Sequence, residues 1–306
     1  MATPLVGGLA IMVPLLMWIG AVLLSGHAGD LRFEQAIFLC GAGATLVGFA
    51  DDQSSISPSS RILLLFVLTT IALVIAPQLL PATINWSNLA PYVLAPRMAY
   101  GLIALAMVGF VNAVNMADGQ DGIVTGMFVI WAACLTMVSG QVSQNIAQVL
   151  LVGSIIVFLY NIAGRVFLGD AGTYGVTFVF GILAIQAHNS GAVSAETIAV
   201  WFFIPIMDCL RLMVTRVRKG AIPSDGDRNH FHHRLQDLVG KTYGLVIYLG
   251  AVGSSSLVTA LVPRLSLLCL LLLGAFYFGL ILLDPEPGFE TAAPATADID
   301  REARDS

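Results

Sequence analysis

Four polar residues stand three apart in the segment Asn112-Ala-Val-Asn115-Met-Ala-Asp118-Gly-Gln-Asp121-Gly122, at the end of the apolar run Leu102 to Val111. On a helix that spacing drifts along one face. Carboxylates and carboxamides are expensive in such a setting unless they have work to do. A glycine after each aspartate permits a tight turn and close approach of a ligand to the backbone. A polar helix end with Asp-Gly turns is the plainer account of any one such pair. Four polar groups in register, together with the segments that follow, favour a site.

The first of those segments is Gly48-Phe-Ala-Asp51-Asp52. Adjacent carboxylates repel unless a cation or a proton relieves them, and oxygen ligands of this kind suit a hard divalent ion such as Mg²⁺. The second is Asn161-Ile-Ala-Gly-Arg165-Val-Phe167-Leu-Gly169-Asp170-Ala-Gly172, where Asp170 precedes another apolar run. It suits either a carboxylate that holds a metal or a phosphate-bound metal, or the N-cap of the following helix, and both roles are compatible. The third is the basic stretch from Arg216 to Arg234, which contains Arg218, Lys219, Arg228, His230, His232 and His233. No further Cys or His cluster completes a zinc shell. Imidazoles mixed with Arg and Lys suit an anionic, phosphate-bearing ligand; an ordinary basic loop against acidic lipid headgroups is the competing account. His27 and His188 are expected to be structural.

The elements that must carry these residues are membrane helices. The chain is 57% hydrophobic and only 11% charged, where soluble domains run at about 25% charged; mean hydropathy is +0.86. A spanning helix takes about 20 mostly apolar residues. About ten stretches qualify, near 5–25, 33–50, 61–79, 98–116, 122–139, 146–164, 172–188, 195–214, 243–262 and 264–283. The expected fold is therefore an all-α polytopic membrane protein, with residues 1–283 as one integral-membrane domain. The first stretch lacks a basic flank before it and a small-residue cleavage site after it, and so reads as a retained span. Cys40, Cys134, Cys209 and Cys269 all lie in apolar stretches and are expected to pack.

The formal charge of −5 resides in residues 284–306, a Pro-, Ala- and Thr-containing segment expected to be a disordered acidic tail. If the loop after the second span is cytoplasmic, so are the other polar segments and the tail. Arg61, Arg165, Arg216, Arg218, Lys219, Arg228, Arg234 and Lys241 then lie inside, against Arg32, Arg97 and Arg264 outside, as the positive-inside rule requires. The acids fall at span ends, whereas an ion pathway would place some near mid-span; Asp208 is the exception.

In this order, the motifs Gly48-Phe-Ala-Asp51-Asp52, Asn112-x-x-Asn115-x-x-Asp118-Gly-x-Asp121-Gly122, Phe167-x-Gly169-Asp170-x-Gly172 and His230-Phe-His232-His233 resemble those of the polyprenyl-phosphate N-acetylhexosamine-1-phosphate transferases, glycosyltransferase family 4. The stretch from Pro205-x-Met-Asp208 to His233 is similar to the undecaprenyl-phosphate GlcNAc-1-phosphate branch. The resemblance implies Mg²⁺-dependent transfer of a phosphosugar from UDP-GlcNAc to undecaprenyl phosphate, with release of UMP, as the initiating step of a cell-envelope polysaccharide such as O-antigen. Phospho-MurNAc-pentapeptide or another phospho-N-acetylhexosamine is the alternative cargo. A transporter with a cytoplasmic acidic gate is the alternative from another class.

By the same resemblance Asp170 holds Mg²⁺, with Mn²⁺ able to substitute. Asp51, Asp52, Asp118 and Asp121 are catalytic: Asp51 activates the lipid phosphate, and Asp118 is a ligand or a nucleophile. Asn115, Asn161, Arg228, His230, His232 and His233 bind the sugar nucleotide. The implied partners are undecaprenyl phosphate, a UDP-N-acetylhexosamine and the lipid bilayer; no nucleic acid is among them, and a homodimer is compatible. The implied location is a bacterial inner membrane, with the site on the cytoplasmic face. Family members usually carry one more helix before the Pro4-Leu5-Val6-Gly7-Gly8 stretch; here Met1 falls almost at that stretch, so that helix is expected to be absent.

Overall fold

A computed structural model describes residues 3–218 and 230–283. Arg228 and the acidic tail lie outside the described residues. The chain runs through helices α1 (Gly7–Leu24), α2 (Leu31–Ser54), α3 (Pro58–Ile75), α4 (Pro96–Ala117), α5 (Ile123–Val138) and α6 (Gln141–Ile162). It continues through α7 (Gly169–Asn189), α8 (Ala195–Trp201), α9 (Phe203–Arg218), α10 (Phe231–Val239), α11 (Lys241–Leu261) and α12 (Ser266–Leu283). The described strands are a two-residue pair, β1 (Thr83–Ile84) and β2 (Tyr92–Val93), antiparallel with Thr83 opposite Val93.

Among the described residues, eight helices are long and apolar enough to cross a membrane, or nine if one bent pair counts as a span. The other two expected stretches depart from a simple span for different reasons. α5 has 16 residues, about 24 Å at 1.5 Å per residue, short of a ~30 Å hydrocarbon core. The stretch expected at 195–214 is α8 and α9, bent by 72°. The bend has a local cause. Pro205 lacks the N–H that would reach the Trp201 carbonyl, and that carbonyl instead accepts from the Trp131 indole at 2.9 Å.

α7 is the axis of the bundle: 89% of its apolar window is buried, against 17% for the corresponding window at α12. Small residues let its neighbours approach closely, as in other helix pairs packed in lipid. Thr45 of α2 lies against Gly175 of α7, and Gly8 of α1 against Gly172. The middle of the bundle is an aromatic knot in which Trp131 meets Phe110, Phe128, Phe180 and Phe202, with ring centroids 4.8–6.1 Å apart.

The two ends of the bundle are built differently. At one end the strand pair and the connections around it are tied down by hydrogen bonds. His188 faces the Thr83 and Val193 carbonyls and the Asn85 N–H, and Glu196 accepts from the Ser87 N–H at 2.6 Å. His188 is thus structural, as expected. At the other end the C-terminal ends of α2, α4 and α6, the starts of α7 and α11, the turn before α5 and part of α10 surround a cavity.

Candidate active site

That cavity holds about 530 Å³ and is lined by Asp52, Asp118, Gly119, Gln120, Asp121, Asn161, Gly169, Asp170, His233, Gln236 and Lys241, with Leu5, Phe167 and Leu168 on its apolar wall. The carboxylates expected from three separate segments therefore meet. Each is placed by a helix end. α4 stops at Ala117, and residues 118–122 form a turn into α5, with Gly122 at φ +90°, a conformation favouring glycine. The expectation of one continuous helical face through residue 121 is corrected accordingly. Asn112 stays on α4 and donates to its own helix at Val108. Asn115 reaches across and donates to Asp170 Oδ1 at 2.7 Å and to Thr173 Oγ1 at 3.0 Å.

Asp51 and Asp52 part company because adjacent helical residues point about 100° apart. Asp52 faces the cavity and accepts from the backbone N–H groups of Asp170 at 2.8 Å and Ala171 at 3.1 Å. It thereby caps the start of α7. The alternative of Asp170 as N-cap does not hold: Asp170 lies within the first turn, and Leu168 occupies the cap position. Asp51 is buried and is not among the cavity-lining residues, accepting from the Ile56 N–H at 2.6 Å and the Tyr174 hydroxyl at 3.2 Å and pairing with Arg61 at 3.1 Å, with its carboxylate also beside that of Asp170.

The α2–α7 junction depends on Gly48, since a Cβ there would lie against the Asp170 carbonyl and the Ala171 nitrogen. Asn161 lines the cavity, but its side chain braces the wall. Its Oδ1 accepts from the Gly122 N–H at 2.7 Å and the Thr125 hydroxyl at 3.0 Å, and its Nδ2 donates to Val166 O at 2.9 Å and Asp121 Oδ1 at 3.2 Å.

Part of the basic segment expected to be a loop is a helix. His230 precedes α10, and His232 and His233 stand in its first turn. His233 reaches the cavity. His232 is 2% exposed, its Nε2 buried without a hydrogen-bond partner among the described residues. That atom faces Gly119: a Cβ at residue 119 would lie 2.6 Å from it and 3.6 Å from His233 Nε2. Burial, then the charges of His233 and His230, push the His232 imidazole down to about 3, so it is neutral at ordinary pH. His230 packs outside the cavity lining, its ring stacked on His232 with centroids 5.4 Å apart.

Among the described lining residues positive charge is scarce. Four carboxylates line the cavity, while Lys241 is the one Lys or Arg among the described lining residues, 3.9 Å from Asp121. Burial, then the charges of Asp170, Asp121 and Asp52, push the Asp118 carboxyl up to about 7. Among the described residues no group of three or more His, Cys, Asp or Glu side chains is gathered closely enough to hold a metal by itself. Lys241 and Gln236 were not foreseen as site residues. Lys241 had a visible signal, a cation at the entry to an apolar span; Gln236 had none.

Residues 35–188, half the chain, match the sequence pattern of Glycosyl transferase family 4. Over 298 residues the chain is 29% identical to the undecaprenyl-phosphate alpha-N-acetylglucosaminyl 1-phosphate transferase of Escherichia coli K12, covering 90% of this chain and 78% of that one. It is 26% identical to the Yersinia pestis protein of the same name, over 90% of this chain and 79% of that one. A probable undecaprenyl-phosphate N-acetylglucosaminyl 1-phosphate transferase of Bacillus subtilis is 28% identical, over 80% of this chain and 70% of the relative. With the matched segment spanning the carboxylates at the ends of α2 and α4 and the start of α7, the chain belongs to glycosyl transferase family 4, as a multi-pass membrane enzyme.

Proposed function

We propose that the protein transfers N-acetylglucosamine-1-phosphate from UDP-GlcNAc to undecaprenyl phosphate, releasing UMP, at the cytoplasmic face of a bacterial inner membrane. The observation that carries this reading is the carboxylate cavity at the helix ends, in a chain similar along most of its length to transferases named for that reaction. The excess of Arg and Lys at the same end of the bundle supports the cytoplasmic orientation. A cell-envelope polysaccharide is the expected destination of the product.

A lipid-phosphate oxygen attacks the β-phosphorus of the sugar nucleotide. The new P–O bond forms as the bond from the β-phosphorus to the bridging oxygen breaks, and that oxygen leaves as part of UMP. Two anionic phosphates must meet, and a cavity lined by carboxylates opposes this unless a cation offsets the charge. The donor set fits Mg²⁺, with Mn²⁺ as substitute. Its carboxylates offer oxygen ligands and surplus negative charge, and among the described residues they form no closed protein shell, as expected of an ion bound through one or two carboxylates plus substrate phosphates and water.

Asp170, with Asp118 or Asp121, would hold the ion, which supplies charge stabilisation at the transferring phosphoryl group. Asn115 fixes the rotamer of Asp170, Asp52 fixes the backbone that carries it, and Asp51 with Arg61 and Tyr174 supports that junction from behind. His233 and Lys241 line the cavity and would meet the diphosphate there, with the buried His232 Nε2 behind Gly119 in the wall.

Purified protein in lipid nanodiscs, given undecaprenyl phosphate and a panel of UDP-sugars, tests the assignment. UDP-GlcNAc should yield UMP and lipid-linked product in equal amounts, and chelation should stop both. UMP release from UDP-MurNAc-pentapeptide alone would move the assignment to the alternative cargo. Release from neither sugar nucleotide would remove the transferase reading.

A further inference from the structure

Outside the cavity lies a second polar cluster that the proposed chemistry does not use. Asp208 of α9 is 5% exposed. Its Oδ1 accepts from Arg211 Nη2 at 2.8 Å and the Tyr277 hydroxyl at 3.1 Å. Its Oδ2 meets His230 Nδ1 at 3.0 Å, and the Phe231 N–H lies 3.2 Å from both oxygens. One carboxylate thus joins α9, α12 and the start of α10. Arg211 adds a 3.0 Å bond to the Tyr277 hydroxyl.

Burying a carboxylate is costly unless its oxygens are satisfied, and here both are. The arrangement does more than pack. A hydrogen bond from His230 Nδ1–H to a carboxylate selects one tautomer and one ring orientation. The fixed His230 ring is the plate on which His232 stacks, at an interplanar angle of 18°. The His232 ring in turn has its unpartnered Nε2 facing Gly119 in the cavity wall, with the His233 ring 4.3 Å away. Phe231, between these histidines, packs on Tyr277 at 4.8 Å, so α12 holds α10 by both its hydroxyl and its ring.

We propose that Asp208 is a positioning residue for the sugar-nucleotide site: through His230, and braced by Tyr277, it orients His232 and His233 toward the phosphates of the donor. This inference rests on the proposed transferase function. All the clamp residues lie beyond the matched segment 35–188, so the clamp extends the site to α9 and α12.

The test is steady-state kinetics per folded enzyme, with UDP-GlcNAc varied at saturating undecaprenyl phosphate. The variants are Asp208→Asn, His230→Gln, their double variant, Asp208→Glu and Tyr277→Phe. Asp208→Asn is expected to raise KM for UDP-GlcNAc about 10- to 100-fold, by analogy with the loss when the outer partner of a metal-ligating side chain is removed, with KM for the lipid phosphate unchanged. His230→Gln should do the same, and the double variant should be no worse than either alone. Asp208→Glu, which retains a carboxylate, should recover part of the loss.

The proposal is overturned if KM stays at the wild-type value while only the yield of folded protein falls, or if the two single losses multiply in the double variant. Tyr277→Phe removes one hydroxyl and preserves the ring, so it decides the matter should Asp208→Asn fail to fold: a raised KM for UDP-GlcNAc supports the clamp and an unchanged one overturns it. A wild-type enzyme making no lipid-linked product would instead refute the transferase reading, which separates the two failures.

Discussion

Gly48→Ala adds one methyl group at the point where α2 crosses the first turn of α7. The new Cβ would lie 2.7 Å from the Ala171 nitrogen and closer still to the Asp170 carbonyl. Those neighbours are backbone, so no side chain can swing away. Reaching ordinary contact at about 3.4 Å requires the two helices to part by roughly 1 Å. Asp52 lies one helical turn beyond Gly48, and its bonds to the Asp170 and Ala171 N–H groups are 2.8 and 3.1 Å long. A shift of roughly 1 Å breaks the longer one and strains the shorter. It also draws Asp170 away from Asn115. Overpacking of this size costs about 1–3 kcal/mol, whereas a misplacement of about 1 Å in a catalytic group costs on the order of 100-fold in rate.

The expected result is therefore a folded enzyme with a slightly lower melting temperature and roughly 100-fold less lipid-linked product per minute. The control is Gly101→Ala on α4, where an added Cβ meets nothing within 4 Å; it should hold the wild-type rate and gain up to about 1 kcal/mol of stability. A Gly48→Ala enzyme with the wild-type rate would refute the claim that the α2–α7 junction sets the position of Asp170.

Other outcomes follow from the same geometry. Asn161→Ala leaves the Gly122 N–H and the Thr125 hydroxyl without their acceptor, which should cost about 1–3 kcal/mol for each group left unsatisfied, read as a lower thermal midpoint in detergent. Asp52→Ala removes the cap of α7 and should cost about 0.5–2 kcal/mol as well as most activity. The Asp118 carboxyl, held near 7 by burial and its neighbours, makes the chelated enzyme less stable as pH rises from about 4 through 7, because the fold prefers the protonated acid. Mg²⁺ should reverse that trend and bind more tightly as pH rises toward 7, and Asp118→Asn should flatten the melting temperature against pH in chelator.

The sequence made the membrane class legible because hydropathy and length are one-dimensional properties. It also gave the four carboxylates, since each sits at the border of an apolar run. What it left hidden depends on direction. Asp51 and Asp52 are neighbours in the chain, yet one reaches the cavity and the other turns to Arg61, a split set by the rotation of α2. The break at Phe202 was hidden because Pro205 alone does not say which carbonyl it frees or that Trp131 will claim it. His230 looked like a phosphate ligand by its company with His232 and His233; only the fold brings Asp208 beneath it. Arg228 lies outside the described residues.

The central claim is that phosphate and sugar move together. UDP-GlcNAc labelled with ³²P on the β-phosphorus and ³H in the sugar, incubated with the enzyme, Mg²⁺ and undecaprenyl phosphate, tests it directly. Both labels should enter the lipid in a constant ratio and UMP should appear unlabelled, with Asp170→Asn abolishing the transfer. Tritium in the lipid with ³²P left on UDP would mean attack at the sugar carbon, and would contradict the account.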